Sequence, residues 1–181
     1  MSDPVSALGG ASFDGFAKVR EIGPLGMISL RAKGLKGLAK AINAVTGTAV
    51  PDVRRIVTTG GKSCAWMSPD EYLLILPYGE TQAALATIAS ALHGEHHLAV
   101  DVSDARAVFR IEGADAGQVL RKLCPVDLDR LERGEIRRTR AAQVAAAIWA
   151  EGDGYTLVSF RSVAGYVMGL LTHSAQPGSE F

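Results

Sequence analysis

This chain has no surplus of charge of either sign: 19 Lys and Arg balance 19 Asp and Glu across 181 residues. With a pI near 6.9, no overall field draws it to nucleic acid or to an anionic lipid surface. It also lacks a long apolar run, since nothing approaches the roughly 18 consecutive apolar residues of a membrane span. The segment from Met1 to Gly15 has neither a basic start nor an apolar stretch, so it reads as neither signal peptide nor anchor. A cytoplasmic soluble protein is the expectation. Cysteine is scarce. Cys64 and Cys124 lie far apart at no metal or redox spacing, and their apolar neighbours mark them as small buried thiols rather than a disulfide or a nucleophile. Gly9-Gly10 and Gly60-Gly61 are the only glycine pairs, and neither opens a helix. A dinucleotide needs a glycine-rich turn from strand into helix, where backbone N–H groups can approach the pyrophosphate. These pairs read as ordinary turns.

What is present is apolar. Hydrophobic residues make up 48% and charged residues 21%, with a mean hydropathy of +0.15. Two readings of that balance stand: a partner covers part of the surface, or alanine-rich composition lifts the average. The length supports one domain, or two small intimate halves, with a real core.

The two tryptophans occur in a repeated frame. Trp66-Met67-Ser68-Pro69-Asp70-Glu71-Tyr72 precedes Leu73 to Leu76, and Trp149-Ala150-Glu151-Gly152-Asp153-Gly154-Tyr155 precedes Thr156 to Phe160. Trp, Asp and Tyr fall at the same offsets both times, and each apolar run leads into a helix-like segment. One supersecondary unit used twice is the economical explanation.

Element order agrees. Val19 to Ile22 and Gly26 to Arg31 are predicted strands forming a hairpin around Gly23-Pro24-Leu25. Leu35, Leu38, Ala39, Ile42 and Val45 recur at helical spacing up to Gly47. Strands follow at Val53 to Thr58, Ser63 to Met67 and Tyr72 to Leu76. A helix from Thr81, whose hydroxyl is a candidate cap, carries Leu85, Ile88, Ala89 and Leu92. The second half repeats this. His97 to Val102 and Val108 to Glu112 are strands, and Val119, Leu120 and Leu123 lie on a helix ended by Pro125. Arg137 to Thr139, Val144 to Ala150 and Tyr155 to Phe160 are strands, and Val163 to Thr172 is a closing helix. The expected class is therefore α+β, two β2-α-β3-α halves at about 15–94 and 95–174. Together they form one domain over 15–174, between an N-terminal tail (1–14) and a C-terminal tail (175–181).

The stretch Asp101-Val102-Ser103-Asp104-Ala105-Arg106-Ala107-Val108-Phe109-Arg110-Ile111-Glu112-Gly113-Ala114-Asp115-Ala116, with Leu120 and Cys124-Pro125-Val126-Asp127-Leu128, resembles the aminomethyltransferase-like folate-binding domain. Arg138-Thr139-Arg140-Ala141-Ala142-Gln143-Val144 and Phe160-Arg161-Ser162-Val163-Ala164-Gly165-Tyr166 narrow the resemblance to the gamma subunits of heterotetrameric sarcosine oxidases. The resemblance implies a fold of duplicated β2-α-β3-α halves with swapped first strands. It implies an assembly that demethylates sarcosine to glycine, passes the one-carbon unit to tetrahydrofolate and forms hydrogen peroxide. FAD, FMN, NAD and tetrahydrofolate would sit on partner subunits. This chain would dock directly on alpha, with beta and delta in the same complex, and would hold no cofactor or catalytic residue of its own. A stand-alone tetrahydrofolate-binding protein of the aminomethyltransferase kind is the alternative.

Aminomethyltransferases follow a Gly-Gly turn with an acidic pair, but here Gly60-Gly61 leads into Lys62-Ser63-Cys64. Asp70 and Glu71 read as an exposed turn, where nothing raises a carboxyl pKa for acid–base work. His93, His96 and His97 form the densest imidazole cluster, but Gly94 interrupts helical spacing and no Cys or Asp joins them, so a solvated loop is expected. Ser103-Asp104 has no base nearby in sequence and lies in no nucleophile elbow. The charge-dense run Asp127 to Arg140 fits docking on an acidic surface through bidentate arginine, or a solvated edge strand blunted by charge. Its interleaved acids argue against nucleic acid. Catalytic, cofactor-binding and metal-binding residues are therefore all expected to be none.

Overall fold

In chain order the strands and helices are β1 (Ser12–Asp14), β2 (Lys18–Ile22), β3 (Leu25–Arg31), α1 (Leu38–Thr46), β4 (Ile56–Thr59), β5 (Lys62–Ser68), β6 (Glu71–Pro77) and α2 (Thr81–Ala91), then β7 (Leu98–Asp101), β8 (Arg106–Glu112), α3 (Ala116–Arg121), β9 (Ile136–Ala141), β10 (Val144–Glu151), β11 (Gly154–Phe160) and α4 (Ala164–Ser174). The structure is a computed structural model and describes residues 3–181. None of these helices is long and apolar enough to cross a membrane.

The chain divides into two units. Leu25–Ser103 builds a five-stranded antiparallel sheet in the order β4-β5-β6-β3-β7. Its centre is β6, where Tyr72, Leu73, Leu74, Ile75 and Leu76 are all buried. Such a continuous apolar run is what a strand covered on both faces requires. Ile28, Leu30, Cys64, Leu74 and Leu76 meet Ile42 and Val45 of α1 and Ile88 of α2 in one core. The buried stripe of α1 is Leu38, Ala41, Ile42 and Val45, an i, i+3, i+4, i+7 set. Gly47 ends it at φ 69°, donating its N–H to the Asn43 carbonyl, a left-handed cap that favours glycine. At the other end the Glu95 carboxylate accepts the Lys36 and Gly37 N–H groups, both at 3.0 Å. A negative charge there satisfies orphan donors and opposes the helix dipole.

The second unit, residues up to Pro24 with Asp104–Phe181, builds a six-stranded antiparallel sheet in the order β1-β2-β8-β11-β10-β9. Val19, Phe109, Ile111, Ile148 and Leu157 pack with Val119 and Leu120 of α3 and Val167 and Leu171 of α4. Its opposite face is buried too, at Val108, Ala147, Trp149 and Val158.

Several expectations are corrected. β2 and β3 form no hairpin: β2 pairs with β1 and β8, and β3 with β6 and β7. Gly-Pro marks a break in the chain, and a break serves a crossover as readily as a hairpin. The helix stripes hold Ala41 and Ala84 in place of the exposed Ala39 and Ala89. Alanine is apolar enough to fit either face, so periodicity alone does not rank it. Thr81 does not cap α2, because its hydroxyl donates to the Tyr78 carbonyl at 2.9 Å in the preceding 3₁₀ turn.

Both segments read as tails are engaged. Met1 and Ser2 lie outside the described residues. Ser6 Oγ and the Leu8 and Gly10 N–H groups all donate to the buried Glu21 carboxylate at 2.8–3.0 Å, and β1 pairs with β2. At the other end Ala175 is fully buried, and its carbonyl accepts the Phe16 N–H at 3.0 Å. Lys122 Nζ donates to the Ser174 and Ser179 carbonyls at 2.8 and 2.6 Å. Polar composition suggested tails; long-range partners for the backbone decided otherwise.

Candidate functional site

The repeated Trp/Asp/Tyr frame builds two hairpins whose tips match and whose bodies do not. In β5–β6, Ser68 faces Glu71 across a two-residue turn, and in β10–β11, Glu151 faces Gly154 in the same way. A bulge at Met67 then shifts the first hairpin, so Trp66 opposes Tyr72 while Trp149 opposes Thr156. One extra residue moves a side chain to the other face of a sheet. Trp66 accordingly packs against the helix-side core of its unit. Trp149 is buried but lies outside the helix-side core of its own. The tyrosines correspond: Tyr72 and Tyr155 both pack on the helix side.

Each hairpin tip borders a cavity, and each cavity is lined by the aspartate of the frame. Asp153, with Gly154 and Tyr155, faces Gly113, Asp115 and Arg121 around about 580 Å³. Asp70 faces Arg31, Lys33, His96 and His97 around about 590 Å³. Both lie where a strand leaves its sheet for the following helix (β8 to α3, β3 to α1).

The first cavity is flanked by a charge lattice. Arg110, with only 9% of its side chain exposed, reaches Glu112 at 3.5 Å, Glu151 at 3.8 Å and Asp153 at 3.7 Å. It also donates to the Glu151 carbonyl at 3.0 Å and to Thr156 Oγ1 at 3.3 Å. Arg110 stands directly opposite Arg20 across β2 and β8. Glu112 separates the two cations, accepting Arg20 Nε at 2.8 Å and Nη2 at 3.1 Å. The Arg20 hydrogen bonds, helped by the nearby Arg110, hold the Glu112 carboxyl below its usual range against a smaller opposing effect of burial. This lattice ties the hairpin tip to β8. The Arg110 Nε, Nη1 and Nη2 atoms all have partners within the protein, so its role is to hold the hairpin tip in place.

Cys64 and Cys124 are free and buried, and burial pushes their thiols up to about 12 and about 11. A thiol so placed is neutral at physiological pH and a poor nucleophile. Gly60-Gly61 makes the β4–β5 turn at φ 56° and 79°. Gly9-Gly10 belongs to the loop around Glu21. Lys62 pairs with Glu80, and Ser63 shares a hydrogen bond with Thr58. Asp70 is at an exposed tip, bonded to Ser68 Oγ at 2.9 Å. Glu71 is not exposed as expected: its side chain is 17% accessible and accepts Ser29 Oγ at 3.1 Å, because it stands inside β6 rather than in the turn. Ser103 is buried, donates to Asp101 Oδ1 at 2.6 Å and accepts the Met27 N–H at 2.9 Å, an anchor between β7 and β3. His93 is exposed beyond α2, whereas His96 and His97 line the second cavity. Among the described residues no group of three or more His, Cys, Asp or Glu is placed to hold a metal ion.

Part of the charge-dense run is used internally. Arg130 pairs with Asp127, Arg121 with Asp129, and Arg137 with the buried Glu135. Arg133 donates to the Gly152 carbonyl at the hairpin tip, at 2.9 Å. Sequence reasoning missed Arg110 and Glu21. An arginine in the middle of the apolar strand Ala107 to Ile111 was the available signal for the first. Nothing local distinguishes Glu21 from any other polar residue of an alternating strand.

Comparison with known proteins agrees with this geometry. The model of the sarcosine oxidase, gamma subunit family matches residues 34–176. Sarcosine oxidase subunit gamma from Corynebacterium sp. (strain U-96) is 36% identical over 140 residues, 75% of this chain and 67% of that protein. Its counterpart from Arthrobacter sp is 34% identical over 152 residues, 81% of this chain and 73% of that one. Among solved structures, a chain of the heterotetrameric sarcosine oxidase from Corynebacterium sp. U-96, in complex with pyrrole 2-carboxylate, matches with a TM-score of 0.80 at 29% identity, covering 88% of this chain and 83% of that chain. The glycine cleavage system aminomethyltransferase T from Bartonella henselae matches at 0.66 and 13% identity over 87% and 45%, a likeness of fold alone. With most of its length matched in both sequence and fold, the chain belongs to the sarcosine oxidase gamma subunit family.

Proposed function

We propose that this chain is the non-catalytic gamma subunit of a heterotetrameric sarcosine oxidase, docked directly on alpha in a cytoplasmic complex that also contains beta and delta. FAD, FMN, NAD and tetrahydrofolate are then carried by the partner subunits, where sarcosine is demethylated to glycine, the one-carbon unit passes to tetrahydrofolate and hydrogen peroxide forms. The observation that carries this reading is the 0.80 TM-score, over 88% of the chain, with a component of a protein that is itself heterotetrameric. The chemistry of the side chains supports it. Both thiols are buried and held protonated, Ser103 anchors two strands, and Arg110 braces a hairpin. Exposed Leu98, Val100, Phe160 and Tyr166 fit a chain with a partner.

The strand order supports a duplication. β2, from the first half (about 15–94), lies beside β8, and β7, from the second (about 95–174), lies beside β3. We read this as two β2-α-β3-α halves whose first strands have exchanged places.

Affinity purification of the tagged chain from native cells tests the function. Large and medium flavin-containing partners are expected in stoichiometric amount. Titration of the isolated chain with tetrahydrofolate is expected to show no stoichiometric binding; tight 1:1 binding without flavoprotein partners overturns the proposal in favour of a stand-alone folate-binding protein.

A further inference from the structure

We infer that the open edge of β7 is a strand-addition site for an extended, carboxylate-bearing segment of the partner subunit, with the cavity beside His96 and His97 receiving the carboxylate. The inference rests on the reading of this chain as a subunit of a larger oxidase.

β7 is an outer strand; among the described residues it pairs with β3 alone. The Val102 N–H donates to the Met27 carbonyl at 2.8 Å, continuing the β3–β7 register. In an antiparallel ladder, alternate residues turn their main-chain groups to the same neighbour. Val100 and Leu98 therefore bond to β3, and Ala99 and Asp101 direct N–H and C=O to the open side.

Folded proteins blunt such edges with charge, proline or very short strands. The outer strand β9 carries Arg137, Arg138 and Arg140, and the outer strand β4 presents Thr58 and Thr59 before Gly60-Gly61. β7 instead shows Leu98 and Val100, 55% and 41% exposed, on one face. Its one charge, Asp101, is turned back into its own unit. Oδ1 accepts the Ser103 N–H and O–H at 2.9 and 2.6 Å, and Oδ2 accepts Gln82 Nε2 at 3.3 Å. At four residues β7 is short, but it carries no proline, and its one carboxylate is taken up within its own unit.

The cavity at its Leu98 end decides the occupant. Arg31, Lys33, His96 and His97 line it. Among the described residues Asp70 is the one lining carboxylate and is engaged by Ser68, and Arg31 is shared with Glu71 at 3.6 Å. Among those residues, this leaves Lys33 as the free cation of the lining that a ligand carboxylate can pair with, beside the two imidazoles. The strand pairings of both sheets are antiparallel, and antiparallel addition brings the C-terminal end of the added strand to Leu98. A carboxylate at that end meets Lys33 and the Arg31 guanidinium, while alternating apolar side chains cover Leu98 and Val100. This is β-augmentation, in which main-chain bonds supply affinity and a side-chain pocket supplies specificity. A second copy of β7 fits less well, because the acid it would offer, Asp101, already has its oxygens occupied.

Two measurements on the assembled complex test this. Amide hydrogen exchange at Ala99 and Asp101 is expected to slow at least tenfold on assembly. Ala99→Pro removes an outward N–H without touching the β3 ladder, and Lys33→Glu reverses a cavity charge. Each is expected to lower the amount of chain recovered with the oxidase at least tenfold at equal melting temperature, with Lys33→Arg assembling normally. If the wild-type chain assembles but its Ala99 and Asp101 amides exchange as in the free chain, the inference is wrong; that readout holds even if Ala99→Pro fails to fold. A concentration-dependent homodimer abolished by Ala99→Pro also overturns it, assigning the edge to a second copy. A wild-type chain that joins no oxidase subunit removes the functional reading itself, and the partner named here with it.

Discussion

Glu112 is held ionised by Arg20 and Arg110, so its contribution depends on pH with a definite sign. Its folded pKa is depressed from the ordinary 4.5. The stabilisation is fully present above that value and lost as pH falls through the lower folded value. Glu112→Gln should therefore lower the melting temperature at pH 7, with the difference from wild type shrinking below about pH 4.5, as followed by thermal melts across acidic pH. The thiols offer a second check. With Cys64 pushed up to about 12 and Cys124 to about 11 by burial, neither should alkylate at neutral pH in the native chain, and both should react once it is unfolded in denaturant. Rapid labelling of native protein, read by mass spectrometry, would contradict their placement. Burial of both was legible from their apolar neighbours. The company Arg110 keeps was not, because Glu151 and Asp153 sit at the β10–β11 tip, about forty residues away, and only strand pairing brings that tip to β8.

Among the elements, the two hairpins teach most. A Cβ built on Gly154 would lie 2.0 Å from the Ile111 carbonyl oxygen. That neighbour is backbone of β8 and cannot swing aside, so Gly154→Ala should cost about 1–3 kcal/mol, measured by urea unfolding. The equivalent position in the first hairpin is Glu71, which shows that the repeat keeps the tip while relaxing the approach to the next strand. The sequence frame revealed both hairpins, but it could not reveal the bulge at Met67. A bulge is a mismatch between two strands, and only one strand is visible at a time in a local pattern. The consequence is that Trp66 and Trp149, alike in sequence, sit on different faces. Helix stripes were read correctly at Ile42, Val45 and Ile88, where large side chains carry the period, and misread at the alanines.

For the whole molecule, the ends of the chain hold what composition left loose. Glu21 gathers Ser6, Leu8 and Gly10 onto its carboxylate, so Glu21→Ala leaves these donors without their acceptor. A loss of about 1–3 kcal/mol is expected, with faster proteolysis before β1. If residues 3–11 are cleaved no faster in Glu21→Ala than in wild type, the carboxylate does not hold them. By itself the sequence determined the number and kind of most elements, the recurrence of the Trp/Asp/Tyr frame at two hairpins and the kinship with an oxidase subunit, because those rest on local periodicity and on residues that stand next to one another. Tertiary structure alone decided that β2 and β3 part into different sheets, that Trp149, unlike Trp66, lies outside the helix-side core of its own unit, and that β7 is left with an open edge. Pairing partners are chosen by burial over long separations, and no local window contains both halves of that choice.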